Sequence, residues 1–368
     1  MKRKRRIRRW LMTGLEAFLL AILLLTLARH MPGFAAVYVR RVYPLLAGSL
    51  GRFWSLVPFS AVELLLYLFV IVWVVLLVKG LAGLLRRKKE AGLKLAERLA
   101  ALFQTAAVLF LVYVLGCGIN YSAPAFSDLY GYSKAAYTKE ELALVCEMLT
   151  ERLIDLADEV PRDETGFMAL EADTGQKVLS AIQALGEECP ALAMVKAAPK
   201  RVLISPILSC QQLTGVYSPF TIEANYNRDM VSYNVPFTMG HELSHLAGFM
   251  REDEANFISW LALERAEDVT LRCSAAMMAW IYCCNELHDL DYEKWEALNA
   301  ELPEAVSMEF EANSAFWKRY ESRVSEKAQK VNDSYLKAHG QTEGLMTYDR
   351  VTALIVQEML RRQQGFPD

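Results

Sequence analysis

The sequence predicts a mainly α-helical chain in two units. Residues 1–120 form a membrane domain of three transmembrane helices, and residues 121–368 form an α+β domain with a small β-sheet or a single edge strand. Three observations carry this reading. Three apolar runs, each near the length that crosses a bilayer, fall within the first 120 residues. The remainder mixes charged and apolar residues as a globular domain does, so the 54% hydrophobic content and net charge of −3 average two unlike halves. Within that remainder apolar residues mostly recur at helical spacing; only Gly215 to Asn227 is rich in the aromatic and β-branched residues of extended chain.

The first span is expected over about 10–28, where Glu16 is the one charge between Trp10 and Ala28. Lys2-Arg3-Lys4-Arg5-Arg6 before it resembles the start of a signal peptide. The apolar run is long, however, and no small-x-small cleavage site precedes the next span, so an uncleaved anchor is expected. The second span, 61–78, is apolar on every face apart from Glu63. The third covers 99–120.

Basic residues set the orientation. Lys2, Lys4 and five arginines precede the first span, and Arg86, Arg87, Lys88, Lys89, Lys94 and Arg98 lie between the second and third. The intervening connection has only the scattered Arg40, Arg41 and Arg52. The excess of positive charge places the N-terminus and the second connection in the cytoplasm. Three spans then send everything after Tyr121 to the outside of a multi-pass cell-membrane protein whose first partner is the lipid bilayer. Clusters that flank spans in this way argue against nucleic-acid binding. Glu16 and Glu63 supply too little intramembrane chemistry for a transporter. The outer domain's six cysteines are compatible with disulfides, and the absence of a CxxC pair argues against a structural zinc site.

Along the outer domain, Thr138-Lys139-Glu140-Glu141 is a capping-box signature opening a helix that runs to about Val160. A helix over Thr174 to Leu185 follows, then a short strand over Arg201 to Ser205. Pro219 demotes the Gly215–Asn227 stretch to an edge strand or two short pieces. From Pro236, a good first helical residue, the chain is read as helices to Ala247, from near Arg251 to Asp268, and over Ser274–Leu287, Tyr292–Leu298, Pro303–Leu336 and Tyr348–Gln363.

His241-Glu242-Leu243-Ser244-His245 is a HExxH motif in a chain with five histidines. Residues four apart share a helix face, so both imidazoles reach one metal ion, and Glu242 is placed to take the proton of a zinc-activated water. This is the core of a zincin-like peptidase domain, with Zn2+ as cofactor and a peptide or protein as substrate. Zinc commonly takes a third protein ligand. Glu252, Glu254 and Glu264 are the candidates. An unbroken helix would carry Glu252 about 10 Å past His245, so the chain must turn back, and Gly248 is where it can. Tyr217, Tyr348 and Arg350 are candidates for stabilising an oxyanion.

PFTMGHELSHLAGFMREDEANFISWLA, with upstream LTGVYSPFTIEANYN and downstream VNDSYLKAHGQTEGLMTYDRV, resembles the domain of unknown function 3810 family, bacterial membrane proteins that are zinc-metallopeptidase-like. The likeness covers most of the chain. Glu252-Asp253-Glu254-Ala255-Asn256 is also similar to the ExxxD helix of membrane-bound prenyl-protein peptidases. That resemblance implies that Glu252 is the zinc ligand and Asn256 the residue that orients a histidine, with asparagine departing from the family's aspartate. It ranks Glu252 above Glu264 and Glu254.

The expected function is therefore a membrane-anchored, gluzincin-like zinc metallopeptidase of the cell envelope. The alternative is a membrane-anchored sensory or binding protein whose metal site is structural or vestigial. A vacant zinc position beside an open cleft distinguishes the first from the second.

Overall fold

The computed structural model describes residues 2–86, 90–339 and 348–365, apart from the side chains of Tyr348 and Asp349. The chain is mainly helical, with one small sheet and three helices long and apolar enough to cross a membrane. These are α1 (Lys2–His30), α2 (Ala61–Leu85) and α3 (Ala91–Tyr113), the last continuing as a π-helical turn over Val114–Gly118. All three start at or before the expected residue. Helix α1 extends through the basic N-terminus, which apolar runs do not reveal.

Helices α1 and α3 are parallel. Arg3 and Arg6 both donate to Glu97 at 2.8 Å near one end, the Phe18 and Phe110 rings pack at a tilt 5.8 Å apart midway, and Leu25 meets Gly118 near the other end. Small residues line the seam: Gly14, Ala21, Ala28, Ala100 and Ala107 are buried. Gly14 lets α1 approach α3 closely, since a Cβ there would lie 2.9 Å from the Phe103 ring. Helix α2 returns along α3 with most of its apolar surface exposed.

The second unit contains α4 (Lys139–Ala157), α5 (Thr174–Ala184), β1 (Lys200–Arg201), β2 (Gly215–Ser218), β3 (Glu223–Tyr226), α6 (Asn234–Ala247), α7 (Glu252–Glu264), α8 (Val269–Leu290), α9 (Tyr292–Glu301), α10 (Glu304–Lys318), α11 (Arg323–Ala338) and α12 (Tyr348–Gln363). Thr138 and Glu141 form the expected capping box of α4. Helix α8 runs through the core, packed against α4, α6, α7 and α12. Its Trp280 indole donates to Thr150 of α4 at 3.0 Å.

Two expectations are corrected. The helix read over Pro303–Leu336 is two helices, because the Ser322 side chain accepts from Ser325 N–H and starts α11 afresh. The strand read over Arg201–Ser205 keeps only its start. The amides of Leu203 and Ile204 donate to the Glu63 carboxylate at 2.7 and 2.9 Å, leaving the sheet for the first turn of α2. Every cysteine is a free thiol, so none of the bridges that the six cysteines after Tyr121 permit is formed.

The sheet has the order β1-β3-β2, with β1 parallel and β2 antiparallel to β3. Pro219 sits in the turn after β2, which is an edge strand, as the proline implies. The two units are joined by buried polar contacts. Glu223 of β3 is paired with Lys200 and accepts from Ala61 N–H (3.2 Å) and Val62 N–H (2.9 Å), capping α2. Glu63 reciprocates, as described. In the π-turn the carbonyls of Leu115 and Gly116 accept from the hydroxyls of Tyr38 (2.6 Å) and Tyr217 (3.0 Å).

Candidate metal centre

Helix α6 carries His241 and His245 one turn apart, their ring centroids 4.6 Å from each other. Gly248 ends the helix with φ +109°, a conformation that L side chains rarely adopt. Its N–H donates to His245 O at 2.9 Å and that of Phe249 to Ser244 O at 3.1 Å, so the carbonyls left at the helix end are satisfied. The chain reverses there and α7 lies antiparallel on α6. Gly240 permits the close approach, since a methyl there would lie 2.4 Å from Ser259 Oγ.

This fold-back sets Glu252 against both histidines. Its oxygens lie 3.2 Å from His241 Nε2 and 3.7 Å from His245 Nε2, and the three prospective ligand atoms are all within 4.8 Å of one another. The other ring nitrogens are committed. His241 Nδ1 lies 2.7 Å from Asn256 Oδ1, and His245 Nδ1 lies 2.8 Å from Phe249 O. Both partners only accept, so both Nδ1 atoms carry a proton and both Nε2 atoms are left facing the carboxylate. Such a set is self-repelling unless a cation or a proton lies among its members. It fits zinc in both donor type and number. Burial opposes charge on His245, but the adjacent Glu252 outweighs it and raises the imidazole to about 9. Burial likewise opposes charge on Glu252, yet the two imidazoles hold its pKa well below the usual carboxylate range.

Glu242 is buried beside this cluster, and burial lifts its pKa to about 7. Its Oε2 has no hydrogen-bond partner. Its Oε1 abuts Gly215 on β2, where a Cβ would come within 2.5 Å. All four residues line a cavity of about 740 Å³ that is also walled by Gly215, Val216 and Tyr217 of the edge strand. Among the described residues no fourth candidate ligand joins the group.

The remaining candidates lie elsewhere. Glu254 is buried on the opposite side of α7, accepting from Ser127 N–H (2.8 Å) and Oγ (2.7 Å) and paired with Lys134. Glu264 pairs with Arg152 of α4 at 3.2 Å. Tyr217 lines the cavity, but its hydroxyl is bonded to Gly116 O and, at 2.9 Å, to the Tyr43 hydroxyl, which makes it a joint between the units. Arg350 lies near Asp253 and does not line the cavity. The Tyr348 side chain is outside the described residues.

The stretch from 38 to 356 matches a family model described as a protein of unknown function, DUF3810. The chain belongs to that family. No curated protein and no solved structure matches it.

Residues that spacing did not single out complete this DUF3810 site. Tyr113, Cys117 and Tyr121, at the end of α3, form one cavity wall with Tyr335 of α11. Tyr121 and Tyr113 donate to the Tyr335 hydroxyl at 3.3 and 3.0 Å, and His339 Nε2 lies 2.7 Å from Tyr113. The signal available was the VNDSYLKAHG segment, which contains Asn332, Tyr335 and His339.

Proposed function

We propose that this chain is a membrane-anchored zinc metallopeptidase, zincin-like in its outer domain, that hydrolyses peptide bonds at the cell envelope. The observation that carries the reading is the convergence of His241, His245 and Glu252 next to the buried, unpartnered oxygen of Glu242 in a sizeable cavity. The two histidines and Glu252 would hold the zinc. When bound, it supplies Lewis acidity that polarises a carbonyl and lowers the pKa of water.

The chain's own groups do the rest. Asn256 Oδ1 and Phe249 O orient the imidazoles. Glu242, with its pKa lifted to about 7, is suited to take a proton from the attacking water and pass it to the leaving amine near neutral pH. The free edge of β2 offers backbone donors and acceptors to an extended peptide laid along the cavity.

The orientation belongs to the same proposal. Arg3 and Arg6 meet Glu97 at the basic ends of α1 and α3, while the cavity adjoins the opposite end of α3. The basic end is cytoplasmic by charge, which puts the cavity outside.

The test uses the full chain in detergent or nanodiscs. The wild type is expected to bind one zinc and cleave a peptide library. Glu242→Gln is expected to keep the zinc and lose cleavage. Zinc binding without cleavage in the wild type, or unchanged cleavage in Glu242→Gln, overturns the reading.

A further inference from the structure

The segment after β1 buries Val202 and Leu208 but turns three other apolar side chains outward. Leu203, Ile204 and Ile207 are 40%, 46% and 44% exposed, while Ser205 and Ser209 between and beside them are fully buried. The buried hydroxyls are bonded. Ser205 Oγ donates to Val202 O at 3.0 Å and accepts from Arg228 N–H at 3.1 Å, and Asn227 Nδ2 donates to Ser209 Oγ at 2.9 Å. A water-facing loop would carry the opposite pattern, since exposing leucine and isoleucine to water forgoes hydrophobic stabilisation and burying serine hydroxyls costs their hydration.

Its place in the fold supplies the reason. The amides of Leu203 and Ile204 are tied to Glu63 in the first turn of α2, so the segment lies at the outer end of the second membrane span. The connection between the first two spans adds Phe53 and Leu56, the latter 80% exposed, beside Trp54, whose carbonyl accepts from Lys200 Nζ at 2.6 Å. The apolar surface is thus continuous with the lipid-facing surface of α2. Arg52 and Arg201 are exposed on the same connection and on β1, where lipid phosphates would meet them.

We infer that Leu203, Ile204 and Ile207, together with Phe53 and Leu56, enter the outer leaflet of the bilayer and hold the metal cavity at its surface, so that the site draws on polypeptides tethered to the membrane. The lipid is the partner of this face; the substrate class rests on the peptidase reading above. Residues 212–214, which follow the segment almost at once, already line the cavity, as does the end of α3. The distance from lipid to cavity wall is therefore a few residues of chain.

Cys210, next to this segment, is exposed, whereas the other cysteines are buried. An environment-sensitive dye on Cys210 of the full chain in nanodiscs reports the contact without any substitution. Ile207→Cys combined with Cys210→Ser moves the dye three residues along the chain. At both positions the emission is expected to be blue-shifted, largely lost when nitroxide-labelled phosphatidylcholine is included, and resistant to aqueous iodide. Quenching by iodide with indifference to the nitroxide lipid overturns the inference. So does shielding that appears only when several copies share a disc, which would assign the face to a second copy of the chain.

For the substrate class, the triple change Leu203→Ser, Ile204→Ser and Ile207→Ser is compared on one peptide supplied free or on a lipid anchor in the same disc. Cleavage of the anchored form is expected to fall severalfold while that of the free form is unchanged. An equal effect on both overturns the substrate class. Absence of all cleavage in the wild type sinks the peptidase reading, and the quenching experiment still decides the lipid contact.

Discussion

Gly215→Ala tests whether the edge strand positions the proton-handling carboxylate. The added Cβ would stand 2.5 Å from Glu242 Oε1 and 2.8 Å from Glu242 Cγ, and also 2.8 Å from Asn225 O. Ordinary contact begins at 3.4 Å, so the Glu242 carboxylate must retreat by about 0.9 Å. The open space it can move into is the cavity, so the retreat carries the carboxylate off its place beside the histidines. A displacement of about 1 Å at a reacting group costs on the order of 100-fold in rate, equivalent to about 2.7 kcal/mol of barrier. The backbone contact with Asn225 adds a packing cost of about 1–3 kcal/mol in stability. Zinc stoichiometry should hold, because the ligands come from α6 and α7 and β2 contributes none. The assay is turnover of a cleavable peptide by the full chain, with zinc measured by mass spectrometry and folding by thermal melting. A folded variant with wild-type turnover would refute the argument. So would loss of zinc in parallel with activity, which would show that the strand supports the ligands and not Glu242.

Two further outcomes follow from carboxylates inside and outside the site. Glu252→Ala should abolish zinc binding, whereas Glu264→Ala should keep it and lower stability by about 1 kcal/mol, because the part-exposed Arg152 stays solvated when its partner is removed; calorimetric zinc titration and melting of both variants check this. Asp268 caps α8 through Thr270 and Leu271 N–H and pairs with Lys177 at 2.8 Å. Burial opposes its charge, but the lysine and the capping amides prevail and lower its pKa below 3.8. A lowered folded pKa means that the stabilisation is present above the unfolded value and is lost as pH falls through the folded one. Asp268→Asn should therefore be less stable than wild type at neutral pH, and the gap should close below about pH 4; a gap that persists undiminished into acid would refute the assignment.

The local features of the site were legible because they are set by neighbours in the chain. The i, i+4 spacing of His241 and His245 needs only a helix, and Gly248 marks its end through its freedom at positive φ. The edge character of β2 follows from Pro219. The division of labour among Glu252, Glu254 and Glu264 was not local. All three are carboxylates on one helix, and they part ways because Ser127 and Lys134 claim the second and Arg152 claims the third.

By itself the sequence determined the three apolar spans, the helical periodicities and the pair of imidazoles on one face, since each depends on short-range spacing and on the cost of placing polar groups in hydrocarbon. Only the tertiary structure decided what converges on them. The strand expected at Arg201–Ser205 gave way to a turn because a carboxylate 140 positions earlier, Glu63, captured its amides. The end of α3 became a cavity wall because tyrosines from distant segments satisfied its π-turn carbonyls. Long-range pairing of buried polar groups chooses among partners that are chemically equivalent along the chain, and composition and spacing carry no record of that choice.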